Sequence, residues 1–189
     1  MKQTLYLFIF IIALSAKPLC AQDIPPPNPN ININIVSGNV VQFIFSDINQ
    51  YLNGILNGGQ NTFIRVGCIA DWKLQFHTDQ AMFYGTNNPA HTMELNNVGL
   101  IVVSTGTNLD DGSNTINYAK SLPLALANTP VLLLTKGSGS NKGYGLRNSF
   151  TLNWEMGTRR GNMNNQTMLE QALYPDTYEL DITLTLSFF

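Results

Sequence analysis

The C-terminal stretch of the chain, residues 178–188, alternates strictly between apolar and polar side chains. The apolar positions all carry even numbers: Tyr178, Leu180, Ile182, Leu184, Leu186 and Phe188. Because successive side chains of a β-strand point to opposite faces, this pattern predicts a strand with one apolar and one solvated face. Such a strand needs a second layer to cover its apolar face, so the rest of the chain must supply one.

Similar short apolar segments recur along the chain and are separated by Gly, Asn, Ser and Pro. They are residues 41–45, 63–70, 72–78, 98–103, 131–134 and 150–154. Residues 41–45 are apolar on both faces, which favours a central strand. No long amphipathic helix is visible. About eight to ten strands with this spacing predict an all-β fold, an antiparallel β-sandwich, with Trp72, Trp154, Phe43, Leu152, Ile182 and Leu184 in its core.

The first residues have the order of regions found in a secretory signal peptide. Lys2 is followed by the apolar run Leu5–Leu14 and then by small residues up to Ala21. The run is short for a membrane span, so residues 1–21 are predicted to be a signal peptide. Cleavage after Ala16, a retained membrane anchor and lipidation of Cys20 are the alternatives. Lipidation is disfavoured because the large residue Leu19 precedes the cysteine.

The mature chain from Gln22 has room for one domain with a full core. Loss of Lys2 and Lys17 leaves eight Lys and Arg against twelve Asp and Glu, and no basic patch indicates a nucleic-acid partner. Charged residues make up only 12% of the whole chain, which is typical of extracellular β proteins with uncharged polar surfaces. Cys68 is then the single cysteine, so no intrachain disulfide forms and a buried position is expected.

Residues 22–38 are interpreted as a proline-rich leader and an N-terminal strand, and residues 39–189 as the β-sandwich domain. Four prolines between Gln22 and Asn30 predict an extended, polyproline-like spacer. Ile31, Ile33 and Ile35 then alternate with asparagines and valine, as in a short strand with one apolar edge. This strand either pairs within its own domain or inserts into a neighbouring subunit, and these isoleucines are the candidate partner-strand residues.

Few residues suggest chemistry. His77 and His91 have no metal-ligand spacing and are interpreted as surface histidines. The loop Asn108–Asn114 offers oxygen atoms to calcium but lacks a known calcium pattern, so a solvated turn is favoured. No nucleophile elbow or phosphate loop is present. We therefore expect no catalytic, cofactor-binding or metal-binding residues, and no enzyme activity.

Two stretches carry a resemblance to known proteins. Tyr174–Tyr178 running into Ile182–Leu186 resembles the end of secreted bacterial pilin-like and spore-coat-U-like β-sandwich domains, with Asp176 near the position of their glycine. Ile69–Phe76 is similar to the tryptophan-bearing strand of such domains. Val41–Phe45 followed by Tyr51–Ile55 resembles uncharacterised Bacteroidetes surface proteins.

The resemblance implies an immunoglobulin-like sandwich that serves as a surface or fimbrial subunit without catalytic residues. The expected function is thus an extracellular structural or adhesive subunit on the bacterial surface, with other protein subunits, its own copies or a surface complex, as partners. Strand addition is the expected mode of assembly. The alternatives are a carbohydrate-binding module with exposed aromatic rings, an accessory component of an outer-membrane complex and a small outer-membrane barrel.

We predict that the exported protein begins at Gln22, because signal peptidase cleaves after small residues such as Ala21. Mass spectrometry of the mature N-terminus checks this. A protein that begins at Lys17, or one with a lipid on Cys20, would contradict it.

Overall fold

A computed structural model describes residues 31–56, 60–104, 116–118 and 121–189 of the chain. The predicted signal peptide, the prolines of the leader and the candidate calcium loop Asn108–Asn114 lie outside these residues. Within them the chain forms an all-β fold with two main antiparallel sheets that share one core, and a smaller third sheet. The predicted all-β sandwich is confirmed. No helix in the described ranges is long and apolar enough to cross a membrane.

The described residues contain twelve strands, several of them short. They are β1 (Ile31–Ser37), β2 (Asn61–Cys68), β3 (Trp72–Thr78), β4 (Met82–Gly85), β5 (Thr92–Glu94), β6 (Val98–Ser104), β7 (Ile116–Asn117), β8 (Leu124–Ala125), β9 (Val131–Lys136), β10 (Ser149–Met156), β11 (Tyr178–Glu179) and β12 (Ile182–Phe188). The same described residues also contain one α-helix, α1 (Ile48–Asn53), and two 3₁₀ turns, Leu95–Asn97 and Gly145–Asn148.

Sheet A has the strand order β1-β2-β10-β6-β8, and sheet B has the order β12-β3-β9-β7. Sheet C has the order β11-β4-β5. All pairings are antiparallel. β1 therefore forms one edge of sheet A, and β12 forms one edge of sheet B.

The core forms between the inner faces of sheets A and B. Its largest members from β10 and β3 are Phe150, Leu152, Trp154, Trp72, Leu74 and Phe76, all buried. The rings of Trp72 and Phe150 join the sheets by an edge-to-face contact with centroids 5.6 Å apart. Cys68 is buried and free, as expected. Burial of Trp72, Trp154 and Leu152 is thus confirmed.

Three predicted core residues are only half-buried. Ile182 and Leu184 lie on β12, which has a neighbouring strand on one side only, so part of each side chain stays accessible. Phe43 lies in residues 41–45, which form no strand at all. The prediction of a central strand there is wrong, because apolar residues on both faces also fit an extended segment that packs on the core with one face and leaves the other exposed.

The C-terminal alternation spans two strands and not one. Tyr178 and Glu179 pair with β4 in sheet C, and the chain then passes into sheet B at Ile182. The break at Leu180–Asp181 leaves the alternation intact, so periodicity alone does not reveal it.

We expect Leu152→Ala to lower the free energy of unfolding by about 2–5 kcal/mol, because it empties a site at the centre of the core. Leu184→Ala should have a clearly smaller effect, since its side chain is half-buried on an edge strand. Urea denaturation followed by tryptophan fluorescence measures both. Equal losses in the free energy of unfolding for the two variants would contradict the edge position of β12.

Candidate functional site

The edges of the two main sheets differ sharply in length from one side of the sandwich to the other. On one side the edges are β1 and β12, each of seven residues. The opposite edges are β8 and β7, each of two residues. β1 and β12 also contact each other, so they lie on the same side of the molecule. We call this pair of strands the long-edge side.

The long-edge side contains no charged residue. β1 reads ININIVS and β12 reads ITLTLSF. Natural sheets protect long edges from pairing with other chains by charges, prolines, bulges or short strands. Here the one such device in the pairing of β1 is a register irregularity between Ile35 and Ser37, at the end of the strand. Long, uncharged and side by side, these edges are suited to accept another strand.

The predicted partner-strand residues all lie in β1. In the single chain β1 pairs with its own β2, with Ile31 opposite Cys68 and Ile33 opposite Val66. Ile31 and Ile33 are half-buried and pack against the core, whereas Ile35 is 46% exposed. The pairing within one domain occupies one edge of β1 and leaves its outer edge open in the described part of the sheet.

A second unpaired element follows β1 directly. Residues 40–45, Val-Val-Gln-Phe-Ile-Phe, begin at a bend at Val40 and form no strand or helix, and we call them the linking segment. Val41, Phe43 and Phe45 pack against the core, while Val40, Gln42 and Ile44 are exposed. Side chains thus alternate as in a strand, but among the described residues no backbone group of this segment has a hydrogen-bond partner.

The linking segment is held at its C-terminal end by α1. The Asp47 carboxylate caps the helix by accepting hydrogen bonds from the backbone N–H groups of Asn49 (2.7 Å) and Gln50 (3.1 Å). Tyr51 of the helix lies with its ring centroid 5.0 Å from that of Phe45, and its carbonyl accepts a hydrogen bond from Met168 N–H. The segment is therefore fixed in position without strand neighbours.

Gly38 holds the other end of the linking segment close to β2. Its φ of +70° is strained for residues with a side chain, and its carbonyl accepts a hydrogen bond of 2.6 Å from the Thr62 hydroxyl. A Cβ atom at this position would lie 1.9 Å from the Asn61 carbonyl oxygen. Only glycine fits the turn that leads from β1 into the linking segment.

The far end of β12 is fixed by Asp71 and its neighbours. The Asp71 carbonyl accepts a hydrogen bond from Phe189 N–H (2.9 Å), and Lys136 Nζ lies 2.9 Å from the Asp71 carboxylate and 5.3 Å from the Phe189 ring centroid. Hydrogen bonds from Ser140 and then from Lys136 are the main causes that lower the pKa of Asp71. The ion pair and the backbone bond together anchor the end of this edge strand.

Asp176 is a tertiary anchor that sequence reasoning missed. Its side chain is fully inaccessible, and its two oxygens accept hydrogen bonds from the backbone N–H groups of Asn87, Asn88 and Thr177 and from the Asn87 side chain. His91 Nδ1 lies 2.9 Å from Oδ2. Burial by itself would raise the pKa of Asp176, but these hydrogen bonds, led by that from the Asn87 backbone, outweigh it and hold the pKa well below its ordinary value.

This anchor fastens the loop after β4 to the chain just before β11. The His91 ring stacks on Tyr174 with centroids 4.4 Å apart. Gly85 is required there, since a Cβ atom on it would lie 2.3 Å from the Asp176 carboxylate. An aspartate in a turn before a strand was the only sequence signal, and it does not reveal a partner loop almost ninety residues away.

The histidines are less exposed than expected. His91 is half-buried against Asp176 and Tyr174, and His77 is half-buried with Nε2 3.6 Å from Asp79. In the described ranges no three His, Cys, Asp or Glu side chains lie close enough together to hold a metal ion.

Two shallow depressions lie on the surface of the described residues. One, of about 260 Å³, is lined by Tyr118, Leu132 and their neighbours, and the other, of about 210 Å³, is lined by Glu94, Gln171 and their neighbours. Both are smaller than the roughly 300–1,000 Å³ of typical small-molecule sites. Since Trp72 and Trp154 are both buried, neither tryptophan offers a ring to a sugar.

Comparison of the chain with models of known protein families gave no match, and comparison with curated protein sequences gave none either.

We predict that Asp176→Asn lowers the free energy of unfolding at pH 7, because the folded state loses a charged acceptor of several hydrogen bonds. The folded-state pKa is depressed, so the stabilisation is present above the unfolded-state pKa of about 3.9 and is lost as the pH falls through the folded-state pKa. The difference in the free energy of unfolding between the wild type and Asp176→Asn should therefore become smaller below about pH 4. Urea denaturation at pH 7 and at lower pH measures it.

Asp181→Asn is the matched control. Asp181 is exposed and makes no hydrogen bond with its side chain in the described part of the chain, so this variant should follow the wild type at every pH. If the loss in the free energy of unfolding of Asp176→Asn stayed constant as the pH fell, the charge of Asp176 would not be its cause.

Proposed function

We propose that this chain is a non-catalytic structural or adhesive subunit of the bacterial cell exterior that assembles with other protein subunits by strand addition. The single observation that supports it most is the long-edge side, where β1 and β12 present two uncharged seven-residue edges next to each other. An incoming strand gains backbone hydrogen bonds along such an edge and side-chain contacts at alternate positions.

Export is supported by the signal-like order of residues 1–21 and by the low charge of the mature chain. The state of the cysteine in the core also supports export. Cys68 is free and fully buried, so the fold needs no disulfide and has no exposed thiol among its described residues to react in an oxidising compartment.

Strand addition at the outer edge of β1 is favoured over exchange of β1 between subunits. Exchange requires that Ile31 and Ile33 leave their half-buried positions and that the pairing with β2 breaks. Addition at the outer edge breaks no existing pair. The isoleucines then stabilise β1 in its own domain, and the open backbone edge recruits the partner.

The test is the assembly state of purified residues 22–189, measured by sedimentation velocity over a series of concentrations and by electron microscopy. The wild type should form larger species as concentration rises. A wild type that stays monomeric at every concentration, alone and with extracts of the cell surface, would refute the proposed assembly.

We predict that Asn34→Glu weakens assembly by at least about tenfold, a difference of roughly 1.4 kcal/mol, because a charge on an edge strand opposes strand addition. Asn34 is exposed and lies opposite Arg65 on β2, so the new carboxylate gains an opposite charge within its own domain and the melting temperature should hold.

Asn117→Glu is the matched control for Asn34→Glu. Asn117 is also exposed on an edge strand, but it lies on β7, on the side of the short edges. It should assemble like the wild type. Equal weakening in both variants would indicate a general effect of charge and not a site on the long-edge side.

A further inference from the structure

We infer that the linking segment Val40–Phe45 is a self-recognition strand, which pairs antiparallel with the same segment of a second copy of this chain. The inference rests on the proposed function and adds to the β1 edge a second pairing site, with a second copy of the chain as its partner. It breaks no strand pair of the fold, since the segment has no hydrogen-bonded neighbour among the described residues.

The backbone of the linking segment specifies that its occupant is a strand. Its N–H and C=O groups have no hydrogen-bond partner among the described residues. Backbone groups without partners are strongly disfavoured when buried, so these groups need either water or another strand as a partner. An extended peptide is the ligand that satisfies a row of such groups together.

The exposed side chains make the segment apolar on its outer face as well. Val40 is 74% exposed and Ile44 is 67% exposed, among the largest values for apolar side chains in the described residues. α1 continues this surface along the sequence with Ile48 and Leu52, which are 58% and 40% exposed. Exposed apolar side chains do not stabilise the monomer in water. A strand docked on the segment would bury part of the apolar surface of Val40 and Ile44.

The charge pattern favours a second copy as the partner. No charged residue occurs between Ile24 and Ser46, so two copies of this region meet without repulsion. The linking segment also lacks the charges and prolines that protect the edge strands of natural sheets from pairing with their own copies. A partner chosen by charge would find no charged group in the segment to recognise.

The alternation of side chains fits antiparallel pairing about a two-fold axis at Phe43. In that register Phe43 lies opposite Phe43 of the second copy, Val41 lies opposite Phe45, and Gln42 lies opposite Ile44. Residues opposite each other in an antiparallel pair share one face, so the core-facing side chains of one copy meet those of the other. The contact is isologous, as in most symmetric dimers.

The first test uses Ile44→Lys in residues 22–189, followed by sedimentation velocity. Because Ile44 is exposed, the melting temperature should hold while self-association weakens by at least about tenfold. Leu146→Lys is the matched control, since Leu146 is 63% exposed and lies far along the chain in the 3₁₀ turn Gly145–Asn148. It should associate like the wild type. Val40→Lys replaces Ile44→Lys if the latter does not fold.

The second test determines the register by oxidation of variants that each carry one added cysteine. Gln42→Cys and Ile44→Cys, mixed in equal amounts, should form a disulfide between the two variants, because opposite Cα atoms lie about 4.5–5.5 Å apart. Each variant alone should cross-link poorly, since identical positions are then diagonal and about 7–8 Å apart. Cys68 is buried and should not interfere.

The outcomes separate this inference from the proposed function. If the wild type and Ile44→Lys assemble equally and Asn34→Glu does not, the subunit role stands and the linking segment is excluded as the site. If the wild type does not associate with itself but binds another surface protein, strand addition stands and the second copy is excluded as the partner. Equal cross-linking of the single variants and the mixture would also overturn the register.

Discussion

A strand at the edge of a sheet leaves a row of backbone groups without a partner in that sheet, and this constraint shapes the outer surface of the protein. Of the four edges of the two main sheets, the short β7 and β8 present few such groups, whereas β1 and β12 present many. The linking segment adds a third row of backbone groups, which have no hydrogen-bond partner in the described part of the chain. The open edges on which the proposed assembly depends therefore share one physical cause, which is backbone groups without hydrogen-bond partners in the described sheets.

The proposed assembly requires edges that are held in shape, and polar contacts hold β12 and its neighbour β3. Asn141 accepts a hydrogen bond from Trp72 N–H and donates one to the Trp72 carbonyl, while its own carbonyl accepts one from the indole. Asp71, next to Trp72, anchors Phe189 beyond β12. A strand that is ordered before binding loses less conformational entropy on association, so this packing favours strand addition at a fixed edge.

Much of the fold was predictable because alternation reports burial directly. The pattern of Trp72, Leu74 and Phe76 predicted both a strand and its buried face. The candidate site was only half predictable. Ile31, Ile33 and Ile35 were recognised as a strand, but residues 41–45 were interpreted as a central strand, since composition does not distinguish a strand that is covered from one that is not.

The sequence by itself determined most of the strands, which faces of them are apolar and that residues 24–46 carry no charge. Only the tertiary structure decided which strands lie at an edge, that β1 and β12 share one side, and that Asp176 binds a loop far away in the chain. The physical reason is that side-chain alternation is a local property, within reach of a few residues. Edge position depends on the presence or absence of a neighbour, and in a sandwich that neighbour comes from a distant part of the chain.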